Sequence, residues 1–557
     1  MKKNTSIFLF LIIISSINLF SQVTQEWVRI YSGMGYHNTP TAMSVDAAGN
    51  VYVAGYSGTS VYSESYDYIL IKYNTSGVKL FDTRFNGFSN NGDIPYAMAY
   101  DGSYIYMTGE THSQPRTQIL TLKLNTNGQI IWSRYYLDSN YISDVGTSVA
   151  YDQTGNVYVA GYSEANQHIF NLKTIKYTAS GNLVWAKTYT DRYLNPNAKI
   201  GIKTDASGNS YVSSSCLGAS TYSWNIITIK YNSAGQRIWA IRHDSADIHT
   251  ELAKNFCLSP SGNFYVTGYR TITSNSVSIS VIGYNPAGQE QVNIIYPPVA
   301  FMGYYPRDIF VDAHNNLFIT GYSESGYHLN FLTFKYDVHN NLVWDEEYIG
   351  YSYYNEAISL ACDRFGSVYV TGISTTLNNS YSEDFATVKY DSNGYQKWVM
   401  RYNGPSNLYD EPVAIGLDNN NNVYITGLSN VEGIIQNIAT IKYSQPIGIK
   451  PILSEVPNKF SLFQNYPNPF NPETIIRYSI PNAETSYSSS LHVVLKIYDM
   501  LGKEVATLVD AYQQPGTYKI NFNGQRANNN GQLASGVYFY VLHAGNYIDV
   551  KKMLFIK

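Results

Sequence analysis

Short runs in which apolar and polar residues alternate, separated by turns rich in Gly, Asn and Asp, fill most of the chain and predict antiparallel strands. One run returns eight times, as Asn50-Val-Tyr-Val-Ala-Gly55, Tyr104-Ile-Tyr-Met-Thr-Gly109, Asn156-Val-Tyr-Val-Ala-Gly161, Asn209-Ser-Tyr-Val-Ser-Ser214, Asn263-Phe-Tyr-Val-Thr-Gly268, Asn316-Leu-Phe-Ile-Thr-Gly321, Ser367-Val-Tyr-Val-Thr-Gly372 and Asn422-Val-Tyr-Ile-Thr-Gly427. Its central aromatics stand 51 to 55 residues apart, and a fixed period of that size signals a repeat architecture.

Each repeat reads as four strands. An apolar segment ends near an Asp, a tight turn such as Asp152-Gln-Thr-Gly-Asn156 leads into the Tyr-Val strand, and the third strand ends in Lys-Tyr, as at Lys176-Tyr177 and Lys442-Tyr443. Four residues after that tyrosine comes a Gly or Asn, and four later a large residue: Phe81, Trp132, Trp185, Trp239, Val292, Trp344 or Trp398. Four-stranded units at this period predict propeller blades. The eighth repeat stops at Lys442-Tyr443 without a fourth strand, whereas Trp27-Val-Arg-Ile-Tyr31 is a fourth strand with no first three. Pairing the two removes an exposed edge. The expectation is an all-β chain whose residues 22–443 form an eight-bladed β-propeller, the last blade closed by strand 26–31. These repeats resemble the bacterial β-propeller repeat family often found in secreted proteins, a resemblance that implies a fold and no activity.

Residues 444–457 form a Pro-containing linker, and 458–557 follow a different grammar, with short strands at 474–480, 493–498, 516–522, 536–543 and 548–556 that predict a small Ig-like β-sandwich. The phrases Asn465-Tyr-Pro-Asn-Pro-Phe-Asn-Pro472, Leu495-Lys-Ile-Tyr-Asp-Met-Leu-Gly-Lys-Glu-Val505, Ala534-Ser-Gly-Val-Tyr-Phe-Tyr540 and Lys551-Lys-Met-Leu-Phe-Ile-Lys557 resemble the C-terminal sorting domain of the type IX secretion system. That resemblance implies a Bacteroidetes-like source and, as partners, the type IX translocon and its sorting machinery. It also implies removal of this domain, followed by attachment to the cell surface or release.

The amino terminus adds a second address. Lys2 and Lys3, an apolar run from Ile7 to Ile14 and the small residues up to Ser21 have the order of a cleaved signal peptide, residues 1–21. Asn18 and the serines shorten the run below the ~20 residues that span a bilayer, so no transmembrane segment is expected in the mature chain. Composition narrows the partners further. Charged residues make only 14% of the chain and the net charge is -4, which argues against a nucleic-acid binder.

Candidate chemistry is sparse. The ten histidines show no ligand spacing, no Gly-x-Ser-x-Gly elbow or phosphate loop appears, and the repeated Asp turns offer one carboxylate each, too few for calcium. Quinoprotein dehydrogenases share the blade number and a Gly-x-x-x-Trp step, but Cys216, Cys257 and Cys362 provide no vicinal pair; here Trp reads as a wedge between blades. No catalytic residue, metal or cofactor is assigned. Recognition is expected on the face carrying the loops after the second and fourth strands, which read as long, variable and rich in Tyr, Ser and Asn. The candidate ligand-binding residues are Tyr62, Tyr66, Tyr222, Trp224, Tyr304, Tyr305, Tyr327, Tyr353, Tyr354 and Tyr381, about half of the loop aromatics being expected to serve packing. The expected function is non-catalytic binding of a glycan or a protein. The alternative is a hydrolase or lyase acting on polysaccharide or peptide from the same face, which a cluster of carboxylates, His or Arg at the channel mouth would favour.

Overall fold

The structure is a computed structural model, which describes residues 23–33, 35, 37–58, 65–87, 91–113, 115–165, 169–190, 193–195, 198–218, 223–243, 250–273, 276–296, 302–350, 352–376, 379–431, 435–445, 459–481, 491–513, 516–524 and 533–557. Residues 1–21, where a signal peptide is expected, and most of the expected linker 444–457 lie outside these. Val23–Ser444 forms one compact unit and the chain from Gln445 belongs to another. Every regular element among the described residues is a strand, and no helix is long and apolar enough to cross a membrane.

In the larger unit, His37–Val45, Val51–Gly58, Tyr66–Tyr73 and Lys79–Phe85 pair antiparallel in sequence order. The same four-strand order recurs over residues 93–136, 143–189, 201–243, 251–295, 302–348 and 355–402. The last set has Asp410–Leu417, Val423–Val431 and Ile435–Ser444, and its fourth strand is Thr24–Tyr31, with Trp27 opposite Lys442 and Tyr31 opposite Ile438. First strands of successive sets lie side by side from His37–Val45 to Asp410–Leu417, and the last of them lies beside the first. The second strands are buried on both faces: Val51, Tyr52, Val53 and Ala54 are all within 1% of complete burial. That is why the recurring phrase reads as continuously apolar rather than alternating.

What joins one set to the next is also repeated. Lys176 Nζ and Trp185 Nε1 both donate to Ser233 O, at 3.0 and 3.2 Å, in the turn after the next set's third strand. Across the junction of the chain's two ends, Lys442 Nζ and Trp27 Nε1 donate to Thr75 O in the same manner, at 3.1 and 3.0 Å. The Trp27 ring lies 6.1 Å from both Tyr73 and Tyr424, which bury its faces between two sets. The glycine in this turn is obligatory: Gly77 has φ +76°, and a Cβ there would stand 2.7 Å from the Trp27 ring. The Gly-x-x-x-Trp step is thus a packing device: Gly77, Gly181, Gly235, Gly288 and Gly394 each receive the preceding indole, and Gly128 receives the Phe81 ring.

The Asp turns satisfy themselves. Asp152 Oδ1 accepts from the Thr154 and Asn156 backbone N–H groups, and Oδ2 from Asn156 Nδ2 and the Tyr158 hydroxyl at 2.8 and 2.9 Å. Burial would raise this carboxyl, but the donors outweigh it and hold the group below its usual range. These oxygens are occupied by their own turn.

At the other end of the first strand a fully buried Asn or Asp holds the preceding loop. Asp93 and Asp410 accept from the backbone N–H of Gly87 and Gly404, both at 2.5 Å, while Asn38 and Asn355 accept from Ser57 and Ser374 hydroxyls at 2.6 Å. Burial, together with the Asp384 charge, pushes the Asp410 carboxyl up to about 6 against the pull of Ser429 and Gly404. A folded-state value above the unfolded one means proton uptake on folding, so this site's contribution is full below about pH 4 and is lost as pH rises to about 6. Asp410→Asn, matching Asn38 and Asn355, should therefore raise stability at pH 8 by on the order of 2 kcal/mol and change little at pH 4. Urea midpoints at the two pH values check this; an unchanged or lower midpoint at pH 8 contradicts it.

The smaller unit is a sandwich. Glu473–Ile480 lies between Ser461–Leu462 and Gly516–Asn523, while the second sheet runs Glu504–Gln513, Leu491–Tyr498, Gly536–Ala544, Tyr547–Phe555. Phe470, Ile476, Tyr478, Leu495, Tyr540 and Phe555 fill the space between them. The opening phrase is pinned to the last strand: Phe470 N–H donates to Leu554 O and Ile556 N–H to Phe470 O, at 3.0 and 3.1 Å. Strand Glu504–Gln513 is absent from the predicted runs because its apolar residues do not alternate cleanly.

Candidate functional site

A bulge positions the site. In seven sets the first strand slips by one residue against the second, between Pro40 and Ala42, Pro95 and Ala97, Gly146 and Ser148, Ala253 and Asn255, Pro306 and Asp308, Ala357 and Ser359, and Pro412 and Ala414. The extra residue is re-aimed by the local kink. Opposite each bulge stands the glycine that ends the recurring phrase; a Cβ on Gly161 would meet Val145 O at 1.8 Å, and one on Gly55 would meet Thr39 O at 2.2 Å. The fourth set has Ser214 in that place, and there the first strand is only Gly201–Thr204, whose pairing ends at Ser213, one residue short of it.

Two of these positions are cationic in consecutive sets, and a third cation stands close to the equivalent place in the set before them. Lys254 and Arg307 are bulge residues, and Lys199 stands just ahead of the short fourth-set strand. Together with Asn255, Asp308 and Ser359 they line a cavity of about 400 Å3. A second cavity of about 620 Å3 shares Asn255 and Asp308 and extends to the Asp turns at Asp152 and Asp205, with Lys203 and the apolar Ile202, Leu258, Ile309 and Phe310 in its lining. Asp308 is a tie between three first strands: Oδ1 accepts from Asn255 Nδ2 at 2.6 Å and from Ile309 N–H at 2.9 Å, and Oδ2 from Ser359 Oγ and Leu360 N–H, both at 3.0 Å. Burial raises its carboxyl despite those donors. Desolvation lowers the Lys199 and Lys254 ammoniums, and each feels the positive charge of Arg307 as well.

Toward the loop face, Arg307 forms an ion pair with Glu356, whose Oε2 also accepts from the Tyr354 hydroxyl at 3.2 Å. The Arg307 guanidinium lies 5.4 Å from the Tyr322 ring, which stacks on Tyr305 at 4.9 Å. Burial raises the Glu356 carboxyl against the Arg307 charge, and raises Glu383, to which Glu411 and Glu356 add repulsion. Next to this network two loops meet. Leu329 N–H donates to Tyr353 O at 2.7 Å, and the His328 and Tyr353 rings touch edge to face at 4.5 Å. Tyr327 is 95% exposed and Tyr353 62% exposed on this platform.

The remaining sequence candidates scatter. Tyr304 is buried and packs on Tyr296, because it and Tyr305 belong to the first strand Met302–Val311 rather than to a loop; Tyr305 is half-buried. Tyr66 opens the third strand of its set, half-buried, with its ring against His37 and Tyr56. Trp224 begins strand Trp224–Tyr231 and is half-buried. Tyr62 and Tyr222 lie outside the described residues, as does the Tyr381 side chain. The loops after the second strands are also shorter than expected: Leu317–Ser325 and His328–Tyr336 are joined by two residues, as are Tyr104–Ser113 and Arg116–Asn125, since the flanking strands extend into what reads as loop. The structure brings Tyr327, Tyr353 and Tyr354 together, and through Glu356 joins them to Arg307. Sequence reasoning missed Lys199, Lys254 and Arg307. Lys254 and Arg307 hold the same place in their repeats, 53 residues apart, whereas Lys199 is offset by one, with Ile200 in that place, so comparing repeats would have paired only the first two.

Residues 464–557 match the family described as the secretion system C-terminal sorting domain. The chain therefore carries the export signal of the type IX system, and its destination is the cell surface or the extracellular space. No curated protein matches the chain. Among solved structures, it is similar to the polysaccharide lyase Uly1 (8% identity, TM-score 0.42, covering 62% of this chain and 89% of that one). It is likewise similar to a PL25 ulvan lyase (10%, 0.40, 74% and 95%) and to the WD40 domain of SCAP from fission yeast (9%, 0.38, 74% and 98%). These likenesses are propeller-like neighbours of an all-β chain and carry no statement about its ligand.

Proposed function

We propose that residues 23–444 form an eight-bladed, closed β-propeller of the secreted repeat type, exported by way of the leader 1–21 and the sorting domain, that binds a glycan without transforming it. Thirty-two strands among the described residues, four to a set with Thr24–Tyr31 completing the last, support the count. The ligand is engaged on the face carrying the loops after the second and fourth strands. The observation that carries this reading is the platform of Tyr327, His328 and Tyr353 beside Tyr354: flat rings with polar tips, exposed without a covering segment among the described residues, on a rigid sheet scaffold. Such rings stack on sugar faces at little cost in side-chain entropy.

Replacing Tyr327 and Tyr353 together by Ala should weaken glycan binding at least about tenfold, the worth of about 1.4 kcal/mol of lost stacking. The melting temperature should stay near wild type, because neither ring is buried. Retained binding, or binding lost only when the Asp152–Asn156 side is altered, contradicts the assignment; capture of a protein with no glycan bound favours a protein ligand on the same face. The second reading, a polysaccharide lyase or hydrolase, is favoured by one observation, the meeting of Arg307, Glu356, Tyr322 and Tyr354 with raised carboxyls. New reducing ends, or the ultraviolet absorbance of a double bond formed by β-elimination, would establish it.

A further inference from the structure

The cavity lined by Arg307 carries more cations than carboxylates: Lys199, Lys254 and Arg307 against Asp308. Among the described residues, neither Lys199 nor Lys254 has a carboxylate within salt-bridge distance, and Arg307 is the only member of the trio with one, Glu356. Asp308 faces the same cavity, but its two oxygens are taken up by Asn255, Ser359 and the backbone N–H groups of Ile309 and Leu360. Lys199, Lys254 and Arg307 thus meet at a space of about 400 Å3 where Asp308 and Glu356 answer two of the three positive charges, leaving one cation in excess, and the three cations repel one another. Bringing like charges together in a partly desolvated site costs free energy, which an anion entering it would return.

We infer that Lys199 and Lys254 form an oxyanion subsite, and that the glycan held on the tyrosine platform is an acidic one whose carboxylate or sulfate reaches into the cavity. The inference deepens the glycan reading and rests on it. Platform and cavity are linked by contact: the Tyr354 hydroxyl donates to Glu356, Glu356 pairs with Arg307, and Arg307 lines the cavity. A monosaccharide's acidic substituent is small enough for the space, and Asn255 and Ser359 stand at the wall beside the lysines. The second cavity carries a single further cation, Lys203, beside Asp152 and Asp205, so the excess positive charge stays at Lys199 and Lys254 and one acidic group per site is expected.

Isothermal titration of the mature protein with tri-galacturonate, a sulfated trisaccharide and neutral maltotriose tests this, using wild type and Lys199→Gln/Lys254→Gln. The wild type should bind one or both acidic sugars at least tenfold more tightly than maltotriose, with an affinity that falls as salt rises, and the double variant should lose that preference while keeping the neutral affinity. Tri-galacturonate and the sulfated sugar separate a carboxylate from a sulfate. Equal affinity for acidic and neutral sugars, or an unchanged preference in the double variant, overturns the subsite. If no sugar binds, the platform reading fails; the subsite is then judged by the melting-temperature difference between sulfate and chloride at equal ionic strength. A larger difference in wild type than in the double variant retains the oxyanion site without the glycan, and identical differences overturn it.

Discussion

Removing residues 23–31 should destabilise the 23–444 unit by at least about 5 kcal/mol and turn a cooperative melt into a broad, aggregation-prone one. Two effects add. Trp27 is 93% buried, wedged between Tyr73 and Tyr424, and replacing such a ring by Ala alone costs about 3–5 kcal/mol. The deletion also strips the partner from Ile435–Ser444, leaving a long edge with unpaired N–H and C=O groups. Trp27→Ala should therefore resemble Trp132→Ala, which removes an equivalent indole donated to Ala179 O at 3.1 Å, whereas the deletion should exceed both. Calorimetry on the three variants decides this. A truncated protein melting within two degrees or so of wild type would contradict a ring closed by its N-terminal strand.

The largest cellular effect is expected from the other end. Deleting residues 458–557 should leave a folded 23–444 unit inside the outer membrane, with surface and medium levels falling to background. The sorting sandwich has its own core, built from Phe470, Tyr478, Leu495, Tyr540 and Phe555. Folding and delivery are therefore separable. A subtler variant, Phe470→Ala, empties the core position that also holds the opening phrase to the last strand, and should reduce export in proportion to its loss of sandwich stability. Fractionation with an antibody to the propeller is the measurement; full surface delivery of the truncated chain would refute the role of the domain.

Much of this was legible in the residues. The recurring Tyr-Val phrase lies on eight second strands, from Val51–Gly58 to Val423–Val431, because strands buried on both faces keep little besides apolar residues and their signal survives repetition. The Asp turns were legible for a similar reason: a turn built from Asp, Gly and Asn satisfies its own hydrogen bonds and needs no distant partner. The bulge was not. It arises between the first and second strands and leaves one trace in sequence, the glycine ending the phrase, whose meaning appears only once the opposing carbonyl is seen against it, as with Val145 O and Gly161. Nor was the cationic cavity, since Lys199, Lys254 and Arg307 meet through the sideways packing of three first strands. Tyr304 was misplaced because a strand extended by two or three residues into a polar, aromatic run carries no sequence mark of its true beginning.

Hydrogen–deuterium exchange on the secreted, mature protein, with and without a saturating acidic oligosaccharide, tests the central claim most directly. Ligand should slow exchange in peptides covering 326–330 and 352–356, and around 199, 254 and 307, while the turns at 46–50, 152–156 and 205–209 exchange as before. Protection confined to those turns, or to the outer strands that carry Trp132 and Trp185, would place the ligand elsewhere and contradict the account.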